Sequence, residues 1–378
     1  MPIYKTDIKK DGLQQYRVRI NYTGRDGKAK QLTRIAYGAA EAKQLEAELM
    51  KQHAAGEIIS ADNKITVNKL FEEYIKSKSS EVRKSSLNKT EAVFKNGILP
   101  YMKDVRIDKL NSKLLQEWKN KISEKNLSIT TRNNYYGEFR AMLNYAVKME
   151  YLQKNPLLLV GNFRDAYFER PPEKLRYYTS EQFKLYIAEA KKKAEQSGTI
   201  SEWGYYVFFC IAFYTGARKG EINALKWTDI DGDIMHIRRS ITQKLKGGDV
   251  ETPPKNKSSY RDLQMPKPLI DILVEHKNRQ MSDKNFTNDY RICGGIACLR
   301  DSSICNRNNI YAKSANLPHI RIHDFRHSHA TLLANEGINI QEIARRLGHS
   351  DIQQTWQTYS HLYPREEERA VKILDKIV

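Results

Sequence analysis

Arg218, His323, Arg326, His349 and Tyr359, in the last third of the chain, are residue types that together can attack a phosphodiester. The guanidinium of arginine is planar and charged, and its fixed donors suit the non-bridging oxygens of a phosphate. A tyrosine phenol has a pKa of about 10, so it becomes a nucleophile only when its proton is removed. Histidine exchanges protons near neutral pH. The set therefore predicts phosphoryl transfer to a tyrosine, with side-chain cations in place of a metal ion and with no cofactor.

Each of these residues also has an ordinary structural interpretation. An arginine is usually a surface or salt-bridged residue, and a histidine after an apolar run is often a helix cap or a satisfied core residue. Gly348, directly before His349, is typical of a helix end, and Tyr359 is one of 22 tyrosines. The spacing favours chemistry, because a separation of three residues places His323 and Arg326 on one helical face.

Four short motifs carry these residues. They read Thr-Gly-Ala-Arg-Lys-Gly-Glu at 215–221, His-Asp-Phe-Arg-His at 323–327, Leu-Gly-His-Ser at 347–350 and Thr-Tyr-Ser-His at 358–361. In their order and local context they resemble the tyrosine recombinases, most closely the phage and mobile-element integrases. The separation of ten residues between the last histidine and the tyrosine is also similar to the family's usual gap.

The resemblance implies a role for each position. Arg218 and Arg326 match the two phosphate clamps, and Tyr359 matches the nucleophile. His323 matches a position that is usually His or Lys. His349 matches a position that is His or Trp and that hydrogen-bonds the scissile phosphate.

The same resemblance implies two further site residues. Glu221 matches an acid that supports the first arginine, with a helix-surface ion pair as the alternative. The family carries its general acid, a lysine, on a β-hairpin turn, and residues 233–240 and 260–266 are the hairpin strands expected here. Lys255 fits that position, although Asn256 replaces the usual Thr. Lys257 is its rival, and a solvated loop lysine is the ordinary interpretation of both.

The charge of the chain favours a polyanionic partner. The formal net charge is +19, and a field of that sign speeds association with DNA. RNA and an anionic membrane surface are the alternatives. No apolar run of 18 residues is present, so no helix is expected to span a bilayer, and no apolar signal segment opens the sequence. We therefore expect a cytoplasmic, nucleoid-associated protein.

Cysteine usage gives little support to a disulfide scaffold or a metal site. Four cysteines in 378 residues are too few for a disulfide framework. Cys293, Cys298 and Cys305 cluster, but no Cys-x-x-Cys pair is present, so free thiols are favoured over zinc ligands. Cys210 lies in an apolar stretch that predicts a core helix.

The first 55 residues predict a small basic sheet followed by a helix. Alternation indicates strands at 16–22 and 30–37, a Gly- and Asp-containing turn at 23–27, and a helix from Ala39 to His53. The region resembles the arm-type DNA-binding domain of larger integrases, in which a three-stranded sheet enters the major groove. A solvated basic surface is the alternative. The DNA contacts expected here are Arg17, Arg19, Arg25, Lys28, Lys30 and Arg34.

The middle of the chain is predicted to be helical. Thr66 and Ser128 have the residue type and position of helix N-caps, and Asn155-Pro156 is expected to stop the helix that follows Ser128. Arg132 on that helix is a further candidate DNA contact. The block resembles the core-binding domain of the family, which clamps DNA opposite the catalytic domain.

These features predict an α+β multidomain protein. We expect a β-sheet-plus-helix arm domain over 1–55, a helical, SAM-like core-binding domain over 65–160, and a mainly α catalytic domain with a small β-hairpin sheet over 176–378. Linkers are expected at 54–64 and 161–176, and a capping box at Thr179–Gln182 opens the last domain. The tail 365–378 has apolar residues at near-helical spacing; packing in cis and docking on a neighbouring subunit both remain open.

The resulting hypothesis is a site-specific integrase that acts as a homotetramer on two double-stranded DNA attachment sites. It cuts and rejoins through a 3′-phosphotyrosine and a Holliday junction, without ATP. A DNA-bending factor and an excisionase are implied only by the resemblance. The alternatives are an enzyme that relaxes DNA, resembling the type IB topoisomerases, and a sequence-specific regulator without catalysis.

Overall fold

The computed structural model describes residues 3–23, 29–54, 65–164, 175–243, 248–254, 257–363, 371 and 374–375. The chain divides into two compact units, Met1–Glu169 and Arg170–Val378. Both are helix-rich with small antiparallel sheets, which confirms the α+β fold class. Within the described ranges, no helix is long and apolar enough to cross a membrane.

The first unit begins with a three-stranded antiparallel sheet in the order β1-β2-β3. Its elements are β1 (Ile3–Lys10), β2 (Leu13–Thr23), β3 (Ala29–Tyr37) and the helix α1 (Ala39–Ala54). The two strands and the helix predicted from the sequence are present. The first strand was not identified from the residues, because its alternation is interrupted where the pairing register shifts between Lys5 and Lys9. Most of the predicted turn lies outside the described residues.

One face of this sheet packs against α1. Val18 and Ile20 on β2 are buried with Ala42 and Leu49 of the helix. Successive side chains of a strand point to opposite faces. The odd-numbered residues of β2 therefore lie on the face turned away from α1.

The rest of the first unit is a helical bundle with its own apolar core. Its helices are α2 (Val67–Ser79), α3 (Lys84–Val93), a π-helical segment (Phe94–Ile98), α4 (Leu99–Met102), α5 (Ser112–Ser123), α6 (Ile129–Lys148) and α7 (Leu157–Val160), with a 3₁₀ turn at Ile107–Lys109. Both predicted N-caps are confirmed. Thr66 accepts a hydrogen bond from the Lys69 amide, and Ser128 accepts one from the Thr131 amide.

The stop predicted at Asn155-Pro156 is wrong, because α6 ends at Lys148. Glu150 has a left-handed φ of 57°, which takes the backbone out of the helical region. The chain then turns back, and the Asn155 amide donates to the Arg140 carbonyl and to the Asn144 side chain. Asn155 therefore hydrogen-bonds the segment after α6 back onto that helix, and it does not terminate the helix.

The second unit is mainly helical. Its elements are α8 (Ser180–Ser197), α9 (Ile200–Thr215), α10 (Lys219–Ala224), a 3₁₀ turn (Trp227–Asp229), β4 (Ile230–Asp231), β5 (Ile234–Ile237), β6 (Ser240–Thr242), β7 (Val250–Thr252), a 3₁₀ turn (Lys257–Ser259), β8 (Arg261–Gln264), α11 (Lys267–Gln280), α12 (Asp301–Ser314), α13 (Asp324–Asn335), α14 (Ile340–Leu347), α15 (Ile352–Tyr359) and a 3₁₀ turn (Ser360–Leu362). The capping box predicted at Thr179–Gln182 is present at the start of α8.

Helix α9 forms the centre of this unit. Its sequence is apolar on all sides, and nearly all of its residues are buried. The ring of Phe209 lies 5.4 Å from that of Tyr186 and 5.2 Å from that of Phe325, measured between ring centroids. Cys210 is fully buried, as predicted for a core helix. This packing fixes the carboxyl end of α9. The motif at 215–221 begins there.

The predicted β-hairpin strands pair with each other. β5 and β8 are antiparallel, with Ile234 opposite Gln264 and Ile237 opposite Arg261. A second ladder that was not expected, β6 with β7, lies in the chain between them. Lys255 and Asn256, which follow β7, lie outside the described residues, as does most of the tail after Tyr363.

Candidate active site

Five of the six predicted catalytic residues lie at helix ends. Arg218 is the N-cap of α10, His323 is the N-cap of α13, Arg326 is in the first turn of α13, His349 directly follows the C-cap of α14, and Tyr359 is the last residue of α15. The spacing of His323 and Arg326 is therefore that of a cap and a first-turn residue, and the Arg326 amide donates to the His323 carbonyl.

Arg326 is a buried cation with spare hydrogen-bonding capacity. Its side chain is 3% exposed, and Nη1 donates to the Gly216 carbonyl at 2.9 Å. Nη2 is buried and finds no hydrogen-bond partner in the described part of the chain. Burial, followed by the charges of Arg218 and Arg261, lowers the Arg326 pKa to about 9. The group stays charged at neutral pH and is suited to bind an anion.

Glu221 binds two arginines at once. Oε1 accepts from Arg218 Nη1 at 2.9 Å, and Oε2 accepts from Arg261 Nη2 at 2.9 Å and from the Arg218 amide at 2.9 Å. Burial raises the pKa of this carboxyl, but Arg261 and Arg218 outweigh it, so the pKa lies below its usual value. The predicted support of Arg218 by Glu221 is thus part of a larger buried cluster.

Arg261 belongs to this site and was not identified from the sequence. Its side chain is 2% exposed, and Nε donates to the Arg346 carbonyl at the end of α14. The position of Arg261 in its strand could have identified it from the sequence. In β8, Arg261 and Leu263 point inward, and an arginine at an inward position of a strand needs a buried partner.

Arg218 remains partly open to solvent. Its side chain is 37% exposed, and Nη2 donates to the Gly348 carbonyl at 3.3 Å. The guanidinium therefore joins the motif after α9 to the motif after α14, and it can still contact an incoming ligand.

His349 is oriented by a buried hydroxyl. Its Nδ1 lies 2.7 Å from Oγ1 of Thr355, which is fully buried. Burial, together with Arg326 and Arg218, lowers the His349 pKa to about 4. The ring is therefore neutral at pH 7, and only Nε2 is left to contact a ligand.

His323 is neutral for a similar reason. Burial, followed by His327 and Arg326, lowers its pKa to about 4. Its ring lies 5.2 Å from the ring of His327, edge to face. A neutral imidazole can accept or donate one hydrogen bond at each nitrogen but adds no charge to the site.

Tyr359 is buried and hydrogen-bonded. It is 2% exposed, and its hydroxyl lies 2.7 Å from Nδ1 of His327. Burial raises the Tyr359 pKa to about 12, although Arg326 opposes the shift. The phenol is therefore neutral at pH 7. The sequence indicated no role for His327, although its position four residues after His323 places both rings on one helical face.

The candidate general acid cannot be placed with these residues. Lys255 lies outside the described residues. Its rival Lys257 is the exposed first residue of the 3₁₀ turn that precedes β8. Within the described ranges, no group of three or more His, Cys, Asp or Glu side chains is arranged to hold a metal ion.

The predicted DNA contacts of the sheet fall on two faces. Arg17 and Arg19 lie on the face turned away from α1, and the Arg19 guanidinium is 4.8 Å from the centre of the Tyr4 ring. Lys30 and Arg34 on β3 share the α1 side of the sheet, since they pair with Tyr22 and Val18. The other two predicted contacts, Arg25 and Lys28, lie outside the described residues.

In the helical bundle, Arg132 makes a local contact. Its Nη2 donates to the Lys125 carbonyl at 3.0 Å, in the segment before α6. The side chain therefore stabilises the start of that helix, in addition to any role toward DNA.

Two models of protein families match this chain. The model of the phage integrase family matches residues 176–366, and that of the phage integrase SAM-like domain matches residues 66–164. A tyrosine recombinase XerC-like protein of Caldanaerobacter subterraneus subsp. tengcongensis is 28% identical over 99% of both chains. The ICEBs1 integrase of Bacillus subtilis is 26% identical over 98% of this chain and 100% of its own.

Solved structures share the fold. The Tn1549 transposon integrase in complex with transposon right end DNA has a TM-score of 0.64 at 22% identity, covering 81% of this chain and 98% of that chain. The lambda integrase tetramer bound to a Holliday junction has a TM-score of 0.57 at 16% identity, covering 94% of each chain. Since the family model spans half of the sequence and contains every residue of the candidate active site, the chain belongs to the phage integrase family of tyrosine recombinases.

Proposed function

We propose that this protein is a site-specific DNA recombinase that integrates or excises a mobile element. The observation that carries the proposal is the cluster of three arginines around one carboxylate. Arg326 is buried beside Arg218 and Arg261, and Glu221 offsets only part of their charge. Buried like charges are unfavourable unless an anion joins them. A DNA phosphate supplies that anion.

The reaction begins when Oη of Tyr359 attacks the scissile phosphorus. Arg218 and Arg326 hold the non-bridging oxygens, whose charge grows in the transition state. His349 Nε2 and His323, the N-cap of α13, add contacts to the same phosphate. The bond to the 5′-oxygen breaks, and Lys255 supplies the proton that this oxygen takes.

The product of this step is a 3′-phosphotyrosine, which conserves the energy of the ester. A free 5′-hydroxyl from the second DNA site then attacks the phosphorus, and Tyr359 leaves. Two such exchanges pass through a Holliday junction and recombine the sites without ATP.

Names of relatives and structural neighbours support the setting of the reaction. They include the transposase of Tn916, the Tn1549 integrase with circular intermediate DNA, and a lambda integrase tetramer on a Holliday junction. We infer double-stranded DNA sites as the substrate and a homotetramer as the active assembly. We further propose a division into arm (1–55), core-binding (65–160) and catalytic (176–378) domains, with a DNA-bending factor and an excisionase as accessory proteins.

Covalent trapping tests the proposal. Nicked duplexes cut from the DNA that flanks the gene are mixed with protein, denatured, and examined for a protease-sensitive adduct. We expect an adduct with the wild type and none with Tyr359→Phe. Tyr363→Phe is the matched control, because that hydroxyl donates to the Ile338 carbonyl and takes no part in the proposed reaction.

Three outcomes contradict the proposal. An adduct with Tyr359→Phe excludes this nucleophile. Specific binding without an adduct, also after addition of host extract, indicates a regulator. Relaxation of plasmids that lack any cognate site indicates an enzyme like the type IB topoisomerases.

A further inference from the structure

His327 is the side chain that touches the reacting oxygen of Tyr359. Its Nδ1 is 2.7 Å from the hydroxyl, and the two ring centroids are 5.9 Å apart at an angle of 53°. His323, which matches the family's usual position, instead packs edge to face on the His327 ring. His327, and not His323, is therefore the histidine that contacts the Tyr359 hydroxyl.

This hydrogen bond joins an acid to a base in their neutral forms. Tyr359 is almost fully buried, so its phenol keeps the proton at neutral pH. His327 is half-buried, and burial lowers its pKa, so the imidazole is neutral as well. A phenol is the stronger donor of the two, and the Nδ1 lone pair of the Nε2–H tautomer is its acceptor.

The charged groups around His327 suit a short-lived imidazolium. Asp324 raises the His327 pKa, whereas Arg321 and Arg326 lower it. Asp324 is fully buried and accepts from Arg321, so its charge is held in place next to the ring. Burial keeps His327 neutral at rest, and Asp324 reduces the free energy needed to charge it.

We propose that His327 accepts the proton of Tyr359 during attack on the phosphate. The proposal rests on the recombinase function proposed above. As the Oη–P bond forms, the hydroxyl proton moves to Nδ1, and the bond from phosphorus to the 5′-oxygen breaks. The leaving oxygen takes its proton from the separate general acid. When a 5′-hydroxyl later displaces the tyrosine, Oη takes the proton back from the His327 imidazolium.

A pair of substitutions separates proton transfer from hydrogen bonding. His327→Asn keeps an acceptor oxygen close to the position of Nδ1 but cannot take up a proton. His327→Ala removes both and leaves space for free imidazole. His53→Asn, an exposed residue in the last turn of α1, controls for the loss of a histidine elsewhere.

The measurement is the rate of adduct formation in a single turnover on the nicked duplexes described above. Loss of a general base typically lowers the rate by about 10²- to 10⁴-fold. We expect a loss in that range for both His327 variants, no change for His53→Asn, and partial rescue of His327→Ala by imidazole. Thermal unfolding and duplex binding of His327→Asn should match the wild type, which separates chemistry from misfolding.

Several results overturn the inference. A wild-type rate for His327→Asn means that accepting a hydrogen bond is sufficient. A rate for His327→Ala at or above the wild type means that the bond restrains the tyrosine. If the wild type itself forms no adduct, the recombinase function fails and the inference falls with it. If both His327 variants form the adduct at the wild-type rate, this inference is wrong and the recombinase function still stands.

Discussion

Glu221 is the carboxylate that offsets the positive charge of two arginines in the candidate site. Its carboxylate is shared between Arg218 on the open side and Arg261 on the buried side. If the carboxylate were absent, Arg261 would be an uncompensated cation at 2% exposure. The family resemblance predicted support for one arginine, whereas the structure shows that the same acid organises two.

Glu221→Gln should therefore destabilise the fold strongly. Breaking a buried ion pair by removing one partner costs about 3–5 kcal/mol. The control is Glu342→Gln, which removes an exposed pair with Arg345 and should cost about 0–1 kcal/mol. Denaturant unfolding measures both. Equal losses in the two variants would show that Arg261 does not depend on Glu221.

Buried neutral histidines should make the protein sensitive to acid. Burial lowers the pKa of His329 to about 3 and that of His276 to about 4, both below the ordinary 6.5. Between these values and 6.5 the unfolded chain binds protons that the folded chain does not. Stability is therefore full above pH 6.5 and falls as the pH drops, by up to about 1.4 kcal/mol per pH unit for each group.

Denaturant unfolding between pH 7.5 and 4.5 at constant ionic strength measures this slope. His329 donates from Nδ1 to the Phe213 carbonyl, and His329→Gln keeps a polar side chain there without a group that titrates. We expect a shallower acid slope in that variant, whatever its stability at pH 7.5. An unchanged slope would assign the acid sensitivity to other groups.

At the scale of elements, the site is assembled from helix ends. Gly216 is the C-cap of α9 and Gly348 is the C-cap of α14, both left-handed, with φ values of 64° and 66°. The carbonyl of Gly216 accepts from Arg326, and that of Gly348 accepts from Arg218. Each glycine thus caps a helix and supplies a carbonyl that orients an arginine of the candidate site.

Gly348→Ala should damage both stability and catalysis. A Cβ there would lie 3.0 Å from the Ser258 carbonyl oxygen and 3.1 Å from Arg261 Nη1. Gly198→Ala is the matched control. Gly198 is the C-cap of α8 with a φ of 64°, and a Cβ added there would have nothing within 4 Å. The left-handed backbone alone costs roughly 1–2 kcal/mol.

We expect Gly198→Ala to show only that backbone loss and to form adduct at the wild-type rate. Gly348→Ala should lose more stability and react more slowly, because Arg218 and His349 must shift. Unfolding free energies and single-turnover rates measure the two effects. Similar values for both variants would show that the crowding at Gly348 is relieved without moving the site.

At the scale of the whole molecule, the net charge of +19 is the dominant property. A protein that neutralises DNA phosphates releases counterions, so its affinity falls with salt. In the amino-terminal sheet, Arg17 and Arg19 lie on the face that α1 does not cover.

Arg17→Gln should weaken binding to arm-site DNA and reduce its salt dependence. Loss of one phosphate contact lowers the slope of log K against log salt by about 1. Lys51→Gln, an exposed lysine in the last turn of α1, removes the same charge from the other side of the sheet. Binding titrations at several salt concentrations compare the two. An equal effect of both variants would indicate that DNA responds to the overall positive charge of the domain and does not contact one defined face of the sheet.

The family and most of the helices and strands could be predicted from the sequence. Four local motifs were sufficient to indicate the family, since each candidate site residue lies within a short stretch that resembles the family's motifs. Helix starts at Thr66, Ser128 and Thr179 were readable because an N-cap bond spans only three residues. The paired strands of the hairpin were readable from the alternation of buried and exposed positions.

The contacts between distant side chains could not be predicted, because they depend on how the elements pack. Arg261 joins Glu221 across 40 residues, and His327 meets Tyr359 across 32. No local pattern encodes such contacts, because they depend on how β8 approaches α10 and on how α13 packs against α15. The end of α6 at Lys148 was likewise not read from the sequence, since it goes with the left-handed backbone at Glu150. Local hydrogen bonds can be read from the sequence, whereas the partners of buried charges follow from packing.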